Sequence, residues 1–284
     1  MKSDVETREG ATATDLIPFL APTTWIKGEY AYLAPNGASL FLSRCHLKHD
    51  IIEEAALDDA RLAGCRALLI SDIHERRLGE AVAAIRAETG LGAVHGRLCD
   101  VSKEQDVQSL FALAEERLGS IDVLINNAGL GTSRLLVEMP DEEWARVIDI
   151  TLTGTFRMTR AALKAMQPRG RGVIVNNASV LGWRAQAEQA HYAAAKAGVM
   201  ALTRCAAIEA AAFGVRVNAV APSIAIHAFL RKSASEELLA QLSAREAFGR
   251  GAEPWEVANV MVFLASDYSS YMTGEVVSVS SQRA

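Results

Sequence analysis

From about Arg66 onward, short runs rich in valine, isoleucine and leucine alternate with longer stretches whose apolar residues recur every three or four positions. A continuous apolar run suits a strand buried on both faces, and the longer spacing suits a helix laid on a sheet. Their alternation predicts repeated βα units, a parallel sheet and the α/β class. ALLISD (67 to 72) reads as a buried strand, HERRLGEAVAAIRAETG (74 to 90) as a helix closed by glycine, AVHGRLCDV as a strand and KEQDVQSLFALAEERLG as a helix. IDVLINNAG (121 to 129) is the next strand, 141 to 166 one long helix, GVIVNNAS (172 to 179) a strand, 191 to 212 a helix and VRVNAVAP (215 to 222) a strand. SASEELLAQLS, PWEVANVMVFLAS and the strand EVVSVS follow. Residues 1–50 lack a sustained period and carry proline or glycine at intervals, so only a strand at ASLFLS is assigned there.

With 284 residues, half of them apolar, the chain can bury the core of one large domain. The net charge of −5, without long runs of either sign, argues against a nucleic-acid or anionic-membrane surface and for a small-molecule partner. No segment approaches the roughly 20 apolar residues of a membrane helix. The acidic start MKSDVETREG is unlike a secretory signal, so a cytoplasmic protein is expected. Cys45, Cys65, Cys99 and Cys205 are scattered, which favours buried free thiols over disulfides or a metal site.

Candidate chemistry centres on Tyr192 and Lys196, four residues apart in an alanine-rich helical pattern and so on one helix face. A free tyrosine titrates near 10, and an adjacent ammonium is expected to favour the phenolate and bring the group into range for proton exchange with an alcohol or carbonyl oxygen. Ser179 ends a strand at the edge where ligands of open α/β sheets bind, and its hydroxyl can hold the same oxygen. Alone, a tyrosine and lysine at this spacing also occur on ordinary surface helices.

Asn126-Asn127-Ala128-Gly129, Ser179, Tyr192-Ala-Ala-Ala-Lys196, RVNAVAPS and FLASDYSSYMTGEVVSV follow one another along the chain. On these motifs, in this order, the chain from about Arg61 to Ser280 resembles the short-chain dehydrogenase/reductase family. The resemblance implies a Rossmann-type doubly wound parallel sheet as a single catalytic domain over 51–284, preceded by an atypical segment over 1–50. It also implies Tyr192 as general acid/base, Lys196 as the residue that lowers its pKa and binds the nicotinamide ribose, Ser179 as the group orienting the substrate oxygen, and a homo-oligomer, dimer or tetramer. Asp72 resembles the acid that takes the ribose hydroxyls, which favours NAD, whereas Arg76 and Arg77 leave NADP open. Asp100 and Val101 resemble the residues at the adenine. Asn127, Ala128 and Gly129 resemble the lining beside its ribose, the glycine serving a turn that a larger residue would obstruct; Pro222 and Ser223 resemble the site of the nicotinamide carboxamide.

The chain also departs from the family. Where a glycine-rich turn is expected about 25 residues before Asp72, it has FLSRCHLKHDII, without glycine. The pyrophosphate site is therefore built differently, damaged, or misrepresented by a frame or start-site error. Thr151 stands where an asparagine often holds a helix bulge and a proton relay; its hydroxyl keeps a relay open, the other reading being ordinary helix surface. Ser223 replaces glycine, and SVSSQRA replaces the usual Val-Asp-Gly-Gly. Trp183, Leu181, Ile224, Phe229, Arg184, Gln186, Gln189 and His227 are expected near a pocket for an apolar ring or acyl body with a polar extension. The subgroup resembled oxidises hydroxylated ring fragments, carried as coenzyme A thioesters, in actinobacterial steroid degradation. A 3-oxoacyl-thioester reductase and a cofactor-poor pseudoenzyme serving as a subunit partner are the competing readings.

Overall fold

The computed structural model describes residues 40–43, 67–89, 92–226 and 235–281. Its strands are β1 (Leu40–Ser43), β2 (Leu68–Asp72), β3 (Val94–Leu98), β4 (Val123–Asn126), β5 (Gly172–Asn177), β6 (Val215–Pro222) and β7 (Val276–Val279), in one sheet ordered β3-β2-β1-β4-β5-β6-β7. Every neighbouring pair is parallel. Helices α1 (Glu75–Thr89), α2 (Glu104–Leu118), α3 (Asp141–Ile148), α4 (Gly154–Met166), α5 (Ala190–Ala211), α6 (Glu236–Arg245) and α7 (Pro254–Ala265) complete the α/β architecture.

The apolar runs become strands because both faces are covered. Leu69, Leu124, Ile174 and Val217 pack on one face with Val107 and Leu110 of α2, Met158 and Ala162 of α4 and Ala207 of α5. Leu68, Ile70, Ile125, Val175 and Val220 pack on the other with Leu78 and Ile85 of α1 and Val257 and Met261 of α7. Neighbouring strand residues point to opposite faces, so an uninterrupted apolar run serves both layers. Polar residues of RVNAVAP are bound within the protein: Arg216 donates to Leu264 O at 3.0 Å and Ser266 O at 2.9 Å, and Asn218 donates to Met272 O at 2.8 Å. They tie β6 to the segment leading into β7.

Two expectations change, and one is placed. The stretch 141 to 166 is interrupted by a π-turn, Asp149–Thr153, between α3 and α4. The wider turn buries the adjacent Ile150 and Thr151 together, and a regular helical period read from sequence does not reveal the extra residue. Cys99 is buried but Cys205 is exposed, because its place on α5 faces outward; Cys45 and Cys65 lie outside the described residues. The strand at ASLFLS takes the centre of the sheet, with Ser43 beside both Ser71 and Asn126, while residues 44–66, where the glycine-rich turn is missing, lie outside the described residues.

The order places a topological switch between β1 and β4, the crevice where ligands of doubly wound sheets bind. Asp72, Asn126, Asn177 and Pro222 end their strands on that same carboxyl edge.

Candidate active site

Tyr192 and Lys196 lie in the first turns of α5, with the lysine Nζ 5.5 Å from the tyrosine ring centroid. Lys196 is 1 % exposed and donates to Asn177 O at 2.6 Å, so the end of β5 fixes its ammonium. Two residues beyond β5, Ser179 precedes a 3₁₀ turn, Val180–Gly182, and its Oγ accepts from Leu181 N at 3.2 Å. A side-chain hydrogen bond joins Ser179 to Tyr192. The sheet edge and the helix start therefore bring the three groups to one place.

The electrostatics differ from the sequence expectation. Burial pushes Tyr192 up to about 12, and its bond with Ser179 opposes that rise without reversing it. Burial also pulls Lys196 down to about 7. Withdrawal from water penalises the charged form of each, and in the protein by itself that effect exceeds any phenolate stabilisation by the neighbouring ammonium.

Asp72 is 3 % exposed, and its Oδ1 accepts from His74 N at 2.8 Å and Arg77 Nη2 at 3.2 Å. Arg76 pairs instead with Glu80 at 2.8 Å. Asp100 accepts from Ser102 N at 3.0 Å and Ser102 Oγ at 2.6 Å; this is a turn ahead of α2, whose cap position belongs to Lys103. Val101 is buried against Gly154. Asn127 Oδ1 accepts from Asn177 Nδ2 at 2.5 Å, and Ala128 and Gly129 are buried beside it. Gly129 is not among the described glycines with positive φ; nearby, a Cβ on Gly131 would stand in van der Waals contact with the Tyr192 ring, at 3.4 Å.

Thr151 is fully buried and not ordinary helix surface. Its Oγ1 accepts from Leu130 N at 3.0 Å and lies 3.3 Å from Leu130 O, fastening the turn after β4 to the π-turn. Ser223 is partly buried after Pro222. Trp183 is 52 % exposed beside the Ser179 turn and so is not core. Gln189 donates to Thr132 O at 2.9 Å and Ser133 Oγ at 3.0 Å, which ties it to the loop after β4 and takes its amide from the expected pocket. His227 and Phe229 lie outside the described residues.

Two functional features were missed in the sequence. Asn177 holds Lys196 by its carbonyl, and a backbone acceptor leaves no residue-type signal. His191 is completely buried, accepts from Tyr192 N at 2.9 Å through Nδ1, and meets Thr132 Oγ1 at 2.7 Å through Nε2. A histidine directly before the tyrosine was the available clue.

The carboxyl edge suits a nicotinamide dinucleotide in its donor set. Asp72 offers a buried carboxylate to a ribose, Lys196 keeps N–H groups beyond its bond to Asn177, and Ser223 leaves room after Pro222.

A family model described as Enoyl-(Acyl carrier protein) reductase matches residues 57–281. The chain is 63 % identical over 217 residues to the (5R,7aS)-5-hydroxy-7a-methyl-1-oxo-2,3,5,6,7,7a-hexahydro-1H-indene-carboxyl-CoA reductase of Mycobacterium tuberculosis, covering 76 % of this chain and 82 % of the relative. A short chain dehydrogenase from Mycobacterium smegmatis superposes with TM-score 0.74 at 51 % identity, covering 90 % of this chain and 99 % of that one. An NAD+-bound xylitol dehydrogenase superposes with TM-score 0.78 at 28 % identity, covering 87 % and 99 % of the respective chains. By the family match, the relatives and the doubly wound sheet, the chain belongs to the short-chain dehydrogenase/reductase family, oxidoreductases that exchange hydride between CH–OH groups and a nicotinamide cofactor.

Proposed function

We propose that the protein interconverts a secondary alcohol and ketone on a steroid-derived ring fragment carried as a coenzyme A thioester, with NAD as the cofactor. The observation that carries this reading is the meeting of Ser179, Tyr192 and Lys196 at the carboxyl edge of the sheet. Bound there, the cofactor supplies the hydride donor or acceptor. Ser179 Oγ and the Tyr192 hydroxyl hold the substrate oxygen, and Tyr192 moves the proton to or from it. Lys196, held by its bond to Asn177 O, offsets the cost of forming a buried phenolate when it carries its proton. Thr151 keeps Leu130 and the turn beside the site in place.

NAD is favoured over NADP because Asp72 places a carboxylate where a 2′-phosphate would sit, and Arg77 is engaged with that carboxylate. Asp100, Val101, Asn127, Ala128 and Gly129 line the adenosine end in this reading, and Pro222 and Ser223 the carboxamide end. The substrate class rests on the similarity to the M. tuberculosis CoA-thioester reductase, and Trp183 beside the site offers apolar surface to a ring body. Trp144, Phe156 and Ile208 expose apolar area on the 141 to 166 stretch and α5, which suits pairing as a homo-oligomer in the cytoplasm.

Fluorescence titration with NADH and NADPH, followed by NAD+-dependent oxidation of the bicyclic hydroxy-indene-carboxyl-CoA, tests the proposal. NADH should bind more tightly, and Tyr192→Phe should abolish turnover with cofactor affinity nearly unchanged. No binding of either nucleotide at millimolar concentration favours the pseudoenzyme instead, and retained turnover in Tyr192→Phe removes the tyrosine from its role.

A further inference from the structure

The residue immediately before Tyr192, itself buried, begins a chain of hydrogen bonds that runs outward to the surface and whose direction is fixed. The Tyr192 backbone N–H can only donate, so His191 Nδ1, 2.9 Å away, presents its lone pair. The imidazole proton is then on Nε2 and is donated to Thr132 Oγ1 at 2.7 Å. The Thr132 hydroxyl in turn donates to Glu143 Oε1 at 2.5 Å, and Glu143 Oε2 accepts from Arg134 Nε at 2.5 Å. Those partners hold the Glu143 carboxyl below its ordinary range, led by Thr132, so the chain ends on a true carboxylate. Although threonine, histidine and a carboxylate meet here, the imidazole directs its proton at the hydroxyl. Thr132 is therefore not an activated nucleophile.

The same contacts stitch the loop after β4 to the start of α5. Gln189 reaches Thr132 O and Ser133 Oγ, and Arg134 N donates to Glu188 O at 3.0 Å. Gly131, one residue ahead of Thr132, lies against the Tyr192 ring.

We propose that His191 is a positioning residue with two separable duties: Nδ1 fixes the backbone from which Tyr192 projects, and Nε2 holds the loop from Gly131 to Arg134 against the tyrosine, where it shapes substrate access. The inference rests on the reading of Tyr192 as the acid/base.

Side chains of different reach separate the two duties. His191→Asn keeps an acceptor near Nδ1 and loses the Thr132 link; kcat should stay within about threefold while KM for the bicyclic hydroxyacyl-CoA rises about tenfold. Thr132→Val should do the same without touching α5. His191→Gln reaches toward Thr132 and leaves the Tyr192 amide unpaired, so kcat should fall about tenfold with KM near that of the parent. NADH affinity, read by fluorescence, should stay within about twofold throughout. Amide exchange followed by mass spectrometry gives a readout that needs no substrate: His191→Asn and Thr132→Val should speed exchange in residues 130–135, and His191→Gln in the first turn of α5. Indistinguishable effects of the asparagine and glutamine variants, or parent-like KM and exchange in Thr132→Val, overturn the proposal. Should either histidine variant fail to fold, Thr132→Val decides alone. A dead Tyr192→Phe alongside parent-like His191 and Thr132 variants refutes only this inference, whereas an active Tyr192→Phe refutes the reading beneath it.

Discussion

Replacing Lys196 by methionine in the cofactor-free protein should remove the lysine's contribution to the pH dependence of stability and reverse which protein is the more stable between acid and alkaline pH. Burial lowers the lysine from 10.5 to about 7, which at about 1.36 kcal/mol per tenfold change in proton affinity is on the order of 5 kcal/mol. Between pH 7 and 10.5 the unfolded chain binds the lysine proton and the folded chain does not, so parental stability rises with pH across that window and is flat below it. Methionine has a similar length and removes the buried charge, but it deprives Asn177 O of its 2.6 Å donor at a cost of about 1 to 3 kcal/mol. The variant should therefore be more stable than the parent by roughly 2 to 4 kcal/mol at pH 6 and, because about 1 kcal/mol of the lysine penalty persists at pH 10, less stable there by no more than roughly 2 kcal/mol. Tyr192, raised to about 12, destabilises the fold only above pH 10, and it does so in both proteins. Urea midpoints at fixed protein concentration from pH 6 to 10 measure the difference, because linkage from the other groups cancels. Parallel midpoint curves would show that Lys196 is not a desolvated amine in the folded chain.

Three further outcomes are expected. Asp72→Asn removes the charge that opposes a 2′-phosphate and releases Arg77, so the NADPH-to-NADH affinity ratio should rise by about tenfold in fluorescence titrations; an unchanged ratio would remove Asp72 from cofactor choice. Gly154→Ala places a methyl 2.5 Å from Val101 Cγ2 and should cost about 1 to 3 kcal/mol, read as a lower melting temperature. Thr151→Val leaves Leu130 N without its 3.0 Å acceptor and should cost about 1 to 2 kcal/mol; unaltered stability would mean the Leu130 contact contributes nothing.

The strand and helix succession was legible because periodicity is a local property: LLISD and VRVNAVAP are short, rich in aliphatic residues and bounded by turn residues, and their alternation with amphipathic stretches leaves little besides a parallel α/β sheet. The Tyr192 and Lys196 spacing was legible for the same reason, since one helical turn joins them. What the tertiary structure decided depends on groups distant in sequence. His191 meets Thr132 across 59 positions and Asn127 meets Asn177 across 50, and no local pattern announces either pair. The π-turn at Thr151 carries a bond to Leu130, 21 positions away, against a helical period that continues through it. The direction of the Tyr192 shift was likewise hidden: adjacency of a lysine suggests a lowered pKa, but only the packed site shows how completely both groups leave water, and in the protein by itself that desolvation outweighs the attraction between them.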